Sequence, residues 1–546
     1  MRYSTNQLSG ARLIFLLEIN WDGQLWYFSS EPVEFEGVQY IGTLGDFQYN
    51  QTSQILGVNV EANSLQVQVA FIGLDMVKEW RKGRILEGST GTFSYILEKD
   101  GQIQDLEKTT LLKGLVQLPI FGDPEEPPEL CTFTLERQPY ESSREMIPGS
   151  QVIDKTTFPN HDQDTAGGKL YPIVFGTPGV TIDDNGDQVF LFCTPAYNVK
   201  KYQTHDHRSL FIIAGHEVQA GSVRIRDGAN NEATLTVQQG FDQKGQVYSY
   251  IDLDGSHLMY PGSSSLSTAA QTPKEFWISW MNGGGLSNPY GDGPLTGGAD
   301  ICRWALVKAG IPVDYGAWDN MASILNQYKF DGYINEAVEA WSWVKDNIIP
   351  YLPIEITAGA KGIKPVLAQI LANTYTQPIF RIQGGVGFSR ISPIQTIEET
   401  GDLTNSIQIL YAKQGQENKY SMSVKISPTV KEEGDAERSD LFSSISQNRY
   451  GLQESTVETD YVYSRNTATR IAAHIIKSRC FPKRIMEFQA DIVFGTLEIG
   501  DLVHLTDPAL YMDNSLCFVI SKTWNQTSWI IQLAIVDNPI LQERYI

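Results

Sequence analysis

Positive charge is the first thing this sequence lacks. Only 42 Lys and Arg stand against 64 Asp and Glu, a formal charge of −22 over 546 residues. Affinity for a nucleic-acid backbone comes from cations set against phosphates, so a gripping role on DNA or RNA is opposed. Cysteine is scarce as well. Cys131, Cys193, Cys302, Cys480 and Cys517 are odd in number and widely spaced, with no CxxC pair, which excludes a disulfide framework and a zinc ribbon. Buried thiols in a reducing compartment are expected instead. No apolar run approaches the ~18 residues of a membrane span, and near the N-terminus the run Leu13 to Leu17 stops at Glu18. Neither a signal peptide nor a membrane-spanning segment is expected.

Catalytic signatures are missing too. "GHEVQAG" has no second His for a zincin helix, "AGGKLY" lacks the distal Gly and hydroxyl of a phosphate loop, and there is no GxSxG elbow. In "THDHR", His205 and His207 flank Asp206 and point the same way on an extended segment, a weak metal candidate without a third ligand nearby. "TIDDNGDQ" and "IDLDGSH" are Asp-rich turns without calcium-loop spacing, and "HDQD" at His161 to Asp164 reads as a solvated linker. No catalytic residue, cofactor or firm metal site is assigned.

What is present is the pattern of a folded, mostly β chain. Apolar residues make up 41% and charged residues 19%, which is globular, and 47 Gly and 25 Pro punctuate many short elements. Residues 1–150 alternate with period two in "RLIFLLEINW" (Leu13, Phe15, Leu17, Ile19 and Trp21 on one face), "LQVQVAFI" and "LCTFTLER", and Asp22-Gly23 has hairpin chemistry. Residues 151–295 form a looser β-rich second domain that ends in the Gly-rich stretch from Gly283. Residues 296–395 read as a small α/β unit. Its helices are "DICRWALVKAGIP" and a longer one through Ile334, Val338, Trp341, Val344 and Ile348, followed by a strand pair "PIFRIQGG" and "GFSRI". Residues 396–546 hold strands around one helix, "NTATRIAAHIIKSRCFP", with Asn466 as N-cap and Ile471, Ala472, Ile475 and Ile476 on its packing stripe.

Taken in order, "ARLIFLLEINWDGQLWYFSSEPVEFEGVQYIGTLGDF", "YPIVFGTP", "ADICRWALVKAGIPVDY", "LTNSIQILYA" and "TLEIGDLVHLTDPAL" resemble the tail hub, or tail tip, proteins of tailed bacteriophages and gene-transfer particles. In that family a helix, basic residues, Pro and a strand precede Leu-x-x-Gly-Asp-Leu-Val-x-Leu-Thr and build part of a tube-like β-barrel. The corresponding stretch here is Ile471 to Thr506, with Gly500 and Asp501 at the turn and Leu502, Val503 and Leu505 entering the strand.

The resemblance implies an α+β, mostly β, multidomain chain with tail-tube-like β-barrel modules at 1–150 and 396–546. It implies a non-enzymatic virion protein, assembled in the host cytoplasm as a homotrimer at the tail tip or baseplate. Tail tube or distal tail protein would sit above, tip or fibre proteins below, and phage DNA would pass through unbound. A tail-associated glycan-binding or polysaccharide-degrading protein is the runner-up. The last residue, Ile546, follows soon after the barrel strands, so no receptor-binding or lytic function is expected in a C-terminal extension. An acidic bore is expected, with Glu98, Asp100, Glu125 and Glu126 turned toward the axis.

Overall fold

A computed structural model describes residues 11–52, 64–70, 82–105, 108–121, 130–136, 146–183, 185–200, 208–219, 221–226, 232–254, 275–359, 362–367, 380–383, 392–399, 403–415, 418–427, 441–490, 494–495, 497–510, 512–525 and 528–535. By its contacts the chain forms two compact units built from separated segments. The first holds Met1–Ser142, Ile354–Gly401 and Pro482–Ile546, and the second holds Ser143–Pro353 and Asp402–Phe481. The span read as 396–546 is split between them, 402–481 with its helix falling in the second unit and 396–401 with 482–546 in the first.

The first unit is built on one large sheet with two separate hairpins. Its N-terminal strands are β1 (Arg12–Trp21), β2 (Gln24–Ser29), β3 (Val33–Phe35), β4 (Val38–Tyr40), β5 (Leu44–Thr52), β6 (Ser64–Ala70), β7 (Thr90–Lys99), β8 (Gln102–Ile103), β9 (Thr109–Phe121) and β10 (Leu130–Glu136). The later segments add β11 (Ile354–Gly359), β12 (Gly362–Leu367), β13 (Phe380–Gln383), β14 (Gln395–Glu399), β15 (Lys483–Ala490), β16 (Leu502–Asp507), β17 (Met512–Asn525) and β18 (Trp529–Ile535). Fourteen of these form a single sheet in the order β2-β1-β7-β9-β10-β6-β5-β17-β18-β15-β14, with β8 beside β7, β16 beside β17 and β13 beside β16. All the pairings are antiparallel except β13 with β16.

Alternation explains one face of the sheet. Phe15, Leu17, Ile19 and Trp21 of β1 join Leu65, Val67 and Val69 of β6 in a core that runs on to Val503, Val519, Trp529 and Leu533. The β1–β2 turn has positive φ at Asp22 (51°) and Gly23 (85°), as a two-residue hairpin of this hand requires. Strand β1 also buries Ile14 and Leu16 on its other face, where the β3–β4 hairpin brings Phe35 and Tyr40 over them. At the opposite end Val366 of β12 covers Phe518, Ile520 and Ala534. Outer-face apolar residues thus occur where a hairpin lies across them.

One of the four acids expected to turn toward the axis is engaged within this unit. Glu98 does not face open space: it is 7% exposed and accepts hydrogen bonds from the Arg12 guanidinium and the Gly101 amide. Asp100, at φ 54°, makes a turn with Gly101, while Glu125 and Glu126 lie outside the described residues. The strand at Phe380–Gln383 pairs in parallel with Val503–Thr506, and its expected partner "GFSRI", residues 387–391, lies outside the described residues.

The second unit contains a seven-stranded antiparallel sheet centred on Glu275–Asn282, Thr194–Lys200 and Arg208–Ala214, around a core of Phe211, Ile213, Val223, Ile225, Ile278 and Trp280. Helices α1 (Gly298–Lys308), α2 (Tyr315–Leu325) and α3 (Ala340–Asn347) follow. The long helix expected from Ile334 is shorter, because Ile334 pairs with Ile173 and Val338 with Ile147 in two small ladders, leaving α3 to begin at Ala340. Strands Ser406–Gln414, Lys419–Ile426 and Glu454–Glu458 form a further sheet. Helix α4 (Leu441–Tyr450) precedes the last of these strands, and α5 (Arg465–Arg479) packs on the first two. The N-cap of α5 is Ser464, whose extended backbone aims its hydroxyl at the Thr467 amide, 3.5 Å away. Asn466 already lies inside the helix.

Candidate functional site

N-terminal strand β5 meets C-terminal strand β17 at a seam in the first unit. Their register joins Thr52 to Ser521, Asn50 to Thr523, Tyr49 to Trp524 and Gln48 to Asn525. Aromatic rings fill the core behind it. Phe15 and Trp524 lie 5.2 Å apart between centroids, Trp524 and Trp529 5.0 Å, and Tyr49 meets Trp529 edge to face at 6.3 Å. Such pairs add about 0.5–1.5 kcal/mol each beyond their area burial. Tyr49 keeps its hydroxyl satisfied by donating to the Leu111 carbonyl at 3.1 Å.

A single cation is buried at this seam. Lys522, 2% exposed, donates from Nζ to the carbonyls of Gly495 (3.0 Å) and Leu497 (2.8 Å) and lies 4.8 Å from the Trp529 ring centroid. Burial pushes its ammonium down to about 8, against the pull of Glu498 and Asp501. The ring face and two carbonyls replace the water it loses. Strand alternation alone would not have placed Lys522 here. The register shifts between Val519 and Ser521, so Cys517 and Val519 face the core and, beyond that break, Lys522 and Trp524 do too.

Lys522 anchors the strap that leads into the Gly500 turn. Gly500 has φ 86°, and a Cβ on it would meet Val366 Cγ1 at 2.3 Å, so both backbone angle and space call for glycine. Its amide donates to Val519 O at 2.8 Å, and Val519 N donates back to Asp501 O at 3.0 Å. The Asp501 carboxylate accepts from the Glu498 amide at 2.7 Å, and Glu498 in turn pairs with Lys364 of β12. Burial pushes the Asp501 carboxyl up to about 6. Beyond the turn Val503 and Leu505 enter the main core while Leu502 packs on the outer side with Val366 and Phe518.

The other sequence candidates lie elsewhere. Ile471, Ala472, Ile475 and Ile476 are buried in the second unit, where α5 packs on its three-stranded sheet. His205 and His207 fall outside the described residues, and among the described residues no cluster of three or more His, Cys, Asp or Glu is placed to hold a metal. His161 contacts the Phe158 carbonyl and the Gln163 side chain, while Asp162 accepts from the amides of Asp164 and Thr165, which makes "HDQD" a turn. Asp183 does the same for Asn185 and Asp187. His216 of "GHEVQAG" accepts from the Val174 amide at 3.0 Å and lies 2.9 Å from the Glu217 carbonyl. All five cysteines are buried and none is in a disulfide.

On the outer side of the seam a shallow depression of about 450 Å³ is lined by Asp46, Phe47, Gln48, Gln66, Val67, Gln68, Thr132 and Asn525. Its polar members suit hydrogen bonding with water or a polar surface, and they do not form an acid–base pair around a closed pocket.

No protein-family model and no curated protein matches the chain. Solved structures do. The prophage tail protein gp18 from Listeria monocytogenes is 8% identical, with 96% of each chain covered and a TM-score of 0.39. The 43 kDa tail protein of prophage MuSo2 from Shewanella oneidensis is also 8% identical, covering 96% of this chain and 98% of its own, at a TM-score of 0.38. A chain of the virion of a native gene transfer agent is 11% identical over 73% of this chain and 92% of its own, at 0.36. The structural neighbours of this chain are thus tail proteins of prophages and a component of a gene-transfer virion.

Proposed function

We propose that the chain is a non-enzymatic structural protein of a phage-type tail tip or baseplate, a trimeric hub that closes the tail tube and adapts it to the tip. The observation that carries this reading is the β5–β17 seam. It joins two groups of strands from opposite ends of the chain into one continuous sheet over one core. A chain with two edge-joined sheet modules supplies six modules when three copies close into a ring, which suits a sixfold tube on one side and a threefold tip on the other.

In this role the hub docks a tail-tube or distal tail ring above and tip proteins or fibres below, takes its place in the virion after assembly in the host cytoplasm, and lets the genome leave without holding it. The constrained residues serve shape: Gly500 and Asp501 set the turn, Leu502, Val503 and Leu505 fix the strand, and Lys522 secures the strap. No helix among the described residues is long and apolar enough to cross a membrane. Light scattering of the purified chain tests the reading. A mass of three chains is expected; a monomer at every concentration, with turnover of a host polysaccharide, would replace the hub with a tail-borne depolymerase.

A further inference from the structure

The stretch "YPIVFGTP" has no task in the proposed role. In the second unit its residues 172–178 run as a connecting segment between several elements. Gly215 N donates to Pro172 O at 2.7 Å, Leu286 N to Val174 O at 2.7 Å, Gly285 N to Gly176 O at 2.8 Å and Trp280 N to Pro178 O at 3.1 Å. Ile173–Phe175 pair with Gly332–Ile334, and Val174 is buried in the core of the seven-stranded sheet. Two of the segment's own amides end on side chains that titrate. Val174 N donates to His216 Nε2 at 3.0 Å, and Thr177 N donates to Asp331 Oδ1 at 2.8 Å.

The geometry fixes the state of the half-buried His216. A backbone amide only donates and a backbone carbonyl only accepts, so bare Nε2 faces Val174 and the proton sits on Nδ1, toward Glu217 O at 2.9 Å. A second proton on the ring would set one N–H against another. The ring cannot simply turn away, because Ser249 Oγ donates to His216 O at 2.8 Å and Gly215 is held by Pro172. Burial pushes the imidazole down from 6.5, against the pull of its two backbone contacts.

The groups around it leave the proton to that balance. Tyr171 packs against Gly215, Tyr248 lies beside Ser249, and Tyr333 stands opposite Val174; burial pushes all three hydroxyls up, so they stay neutral. Asp242 accepts from the Tyr171 hydroxyl at 2.7 Å, Tyr250 donates to Gln238, and Asp252 lies on the opposite face of the strand from Ser249. Asp331 responds to acid with the opposite sign. Burial pushes its carboxyl up, so protonation relieves a cost there, and the neutral acid keeps an oxygen for the Thr177 amide.

We propose that residues 172–178 form an acid-released latch, in which protonation of His216 breaks the Val174 hydrogen bond and frees the first half of the segment, while the Asp331 end stays in place as the hinge. Once the segment is released the ring regains an ordinary value near 6.5 and binds the proton more readily than in the latched state. The latch is therefore fully closed above pH 6.5 and loosens as pH falls below it. It stands apart from the hub reading and holds for a single chain.

Hydrogen exchange of the full-length chain, resolved to single amides by fragmentation and corrected for the intrinsic rate at each pH, tests it. Between pH 7.5 and pH 5 the protection of the Val174 amide should fall by up to about 30-fold, a factor of ten for each pH unit below 6.5, while that of Thr177 holds. His216→Gln keeps an acceptor near the place of Nε2 without a site for a second proton, so its Val174 protection should not change with pH. Unchanged protection in the wild type would overturn the latch, and so would an equal loss in His216→Gln or an equal loss at Thr177. If His216→Gln does not fold, the wild-type exchange profile decides: a slope of one proton below pH 6.5 is expected, and a flat profile or a two-proton slope overturns the proposal.

Discussion

Tyr49 and Trp529, from opposite ends of the chain, meet edge to face with ring centroids 6.3 Å apart and planes at 89°, both side chains fully buried. Through this contact, and the β5–β17 ladder beside it, the N-terminal and C-terminal strands share one core. Trp529→Ala should therefore cost about 3–5 kcal/mol, the range for an aromatic deleted from a packed interior. Denaturant unfolding measures it. A loss below about 1 kcal/mol would mean that the site collapses around the gap and the rings do not hold the seam.

Gly500→Val should fail more severely than Gly23→Ala, although φ is nearly the same at the two glycines, 86° and 85°. Around Gly23 nothing lies within 4 Å of an added Cβ, so that variant bears only the left-handed backbone cost of about 1–2 kcal/mol. At Gly500 the same strain is joined by the clash with Val366, which adds about 1–3 kcal/mol of overpacking. Equal melting temperatures for the two variants would show that β12 moves aside freely.

The buried ammonium gives a pH dependence with a definite sign. Lys522 has a folded value near 8, against 10.5 for the free side chain. Between those values the unfolded chain binds more protons than the folded one, so the penalty for burying the charge is present below pH 8 and is relieved as pH rises toward 10.5. Asp501 has completed its titration near 6, outside this window. Unfolding free energy of the wild type, minus that of Lys522→Met, should therefore climb from pH 8 upward. A flat difference would mean that the ammonium is solvated better than its two carbonyls and the Trp529 face allow.

The cap of α5 separates two neighbouring residues. Ser464→Ala should cost about 0.5–1 kcal/mol and Asn466→Ala close to nothing, because only Ser464 offers its side chain to the Thr467 amide. The reverse order in thermal unfolding would move the helix start two residues on.

These comparisons show what the sequence carries and what it hides. Local signals were legible: Asp22-Gly23 marks its hairpin, the alternation of "LQVQVA" marks β6, and the stripe through Ile471 and Ile475 marks α5. Contacts between distant segments were not. Nothing near Ile334 announces that it pairs with Ile173, and this pairing overrode a helical period that continued correctly from Ala340. Helix α2 escaped notice although Asp314 caps it by accepting from the Ala317 amide. The inward Lys522 was hidden because a register shift changes which side chains face the core without any mark in composition. The Gly500 turn lay between. Its Gly-Asp pair is visible, but the Val366 wall that makes glycine necessary comes from a strand far away in the chain.

The most direct test of the account is the symmetry of the assembled particle, seen in class averages of the purified chain viewed down its axis. A threefold particle with six similar lobes around a central hole is predicted, two lobes from each chain on either side of a β5–β17 seam. Three lobes, or a particle without a threefold axis, would contradict the claim that joining the two ends of the chain into one sheet builds a ring.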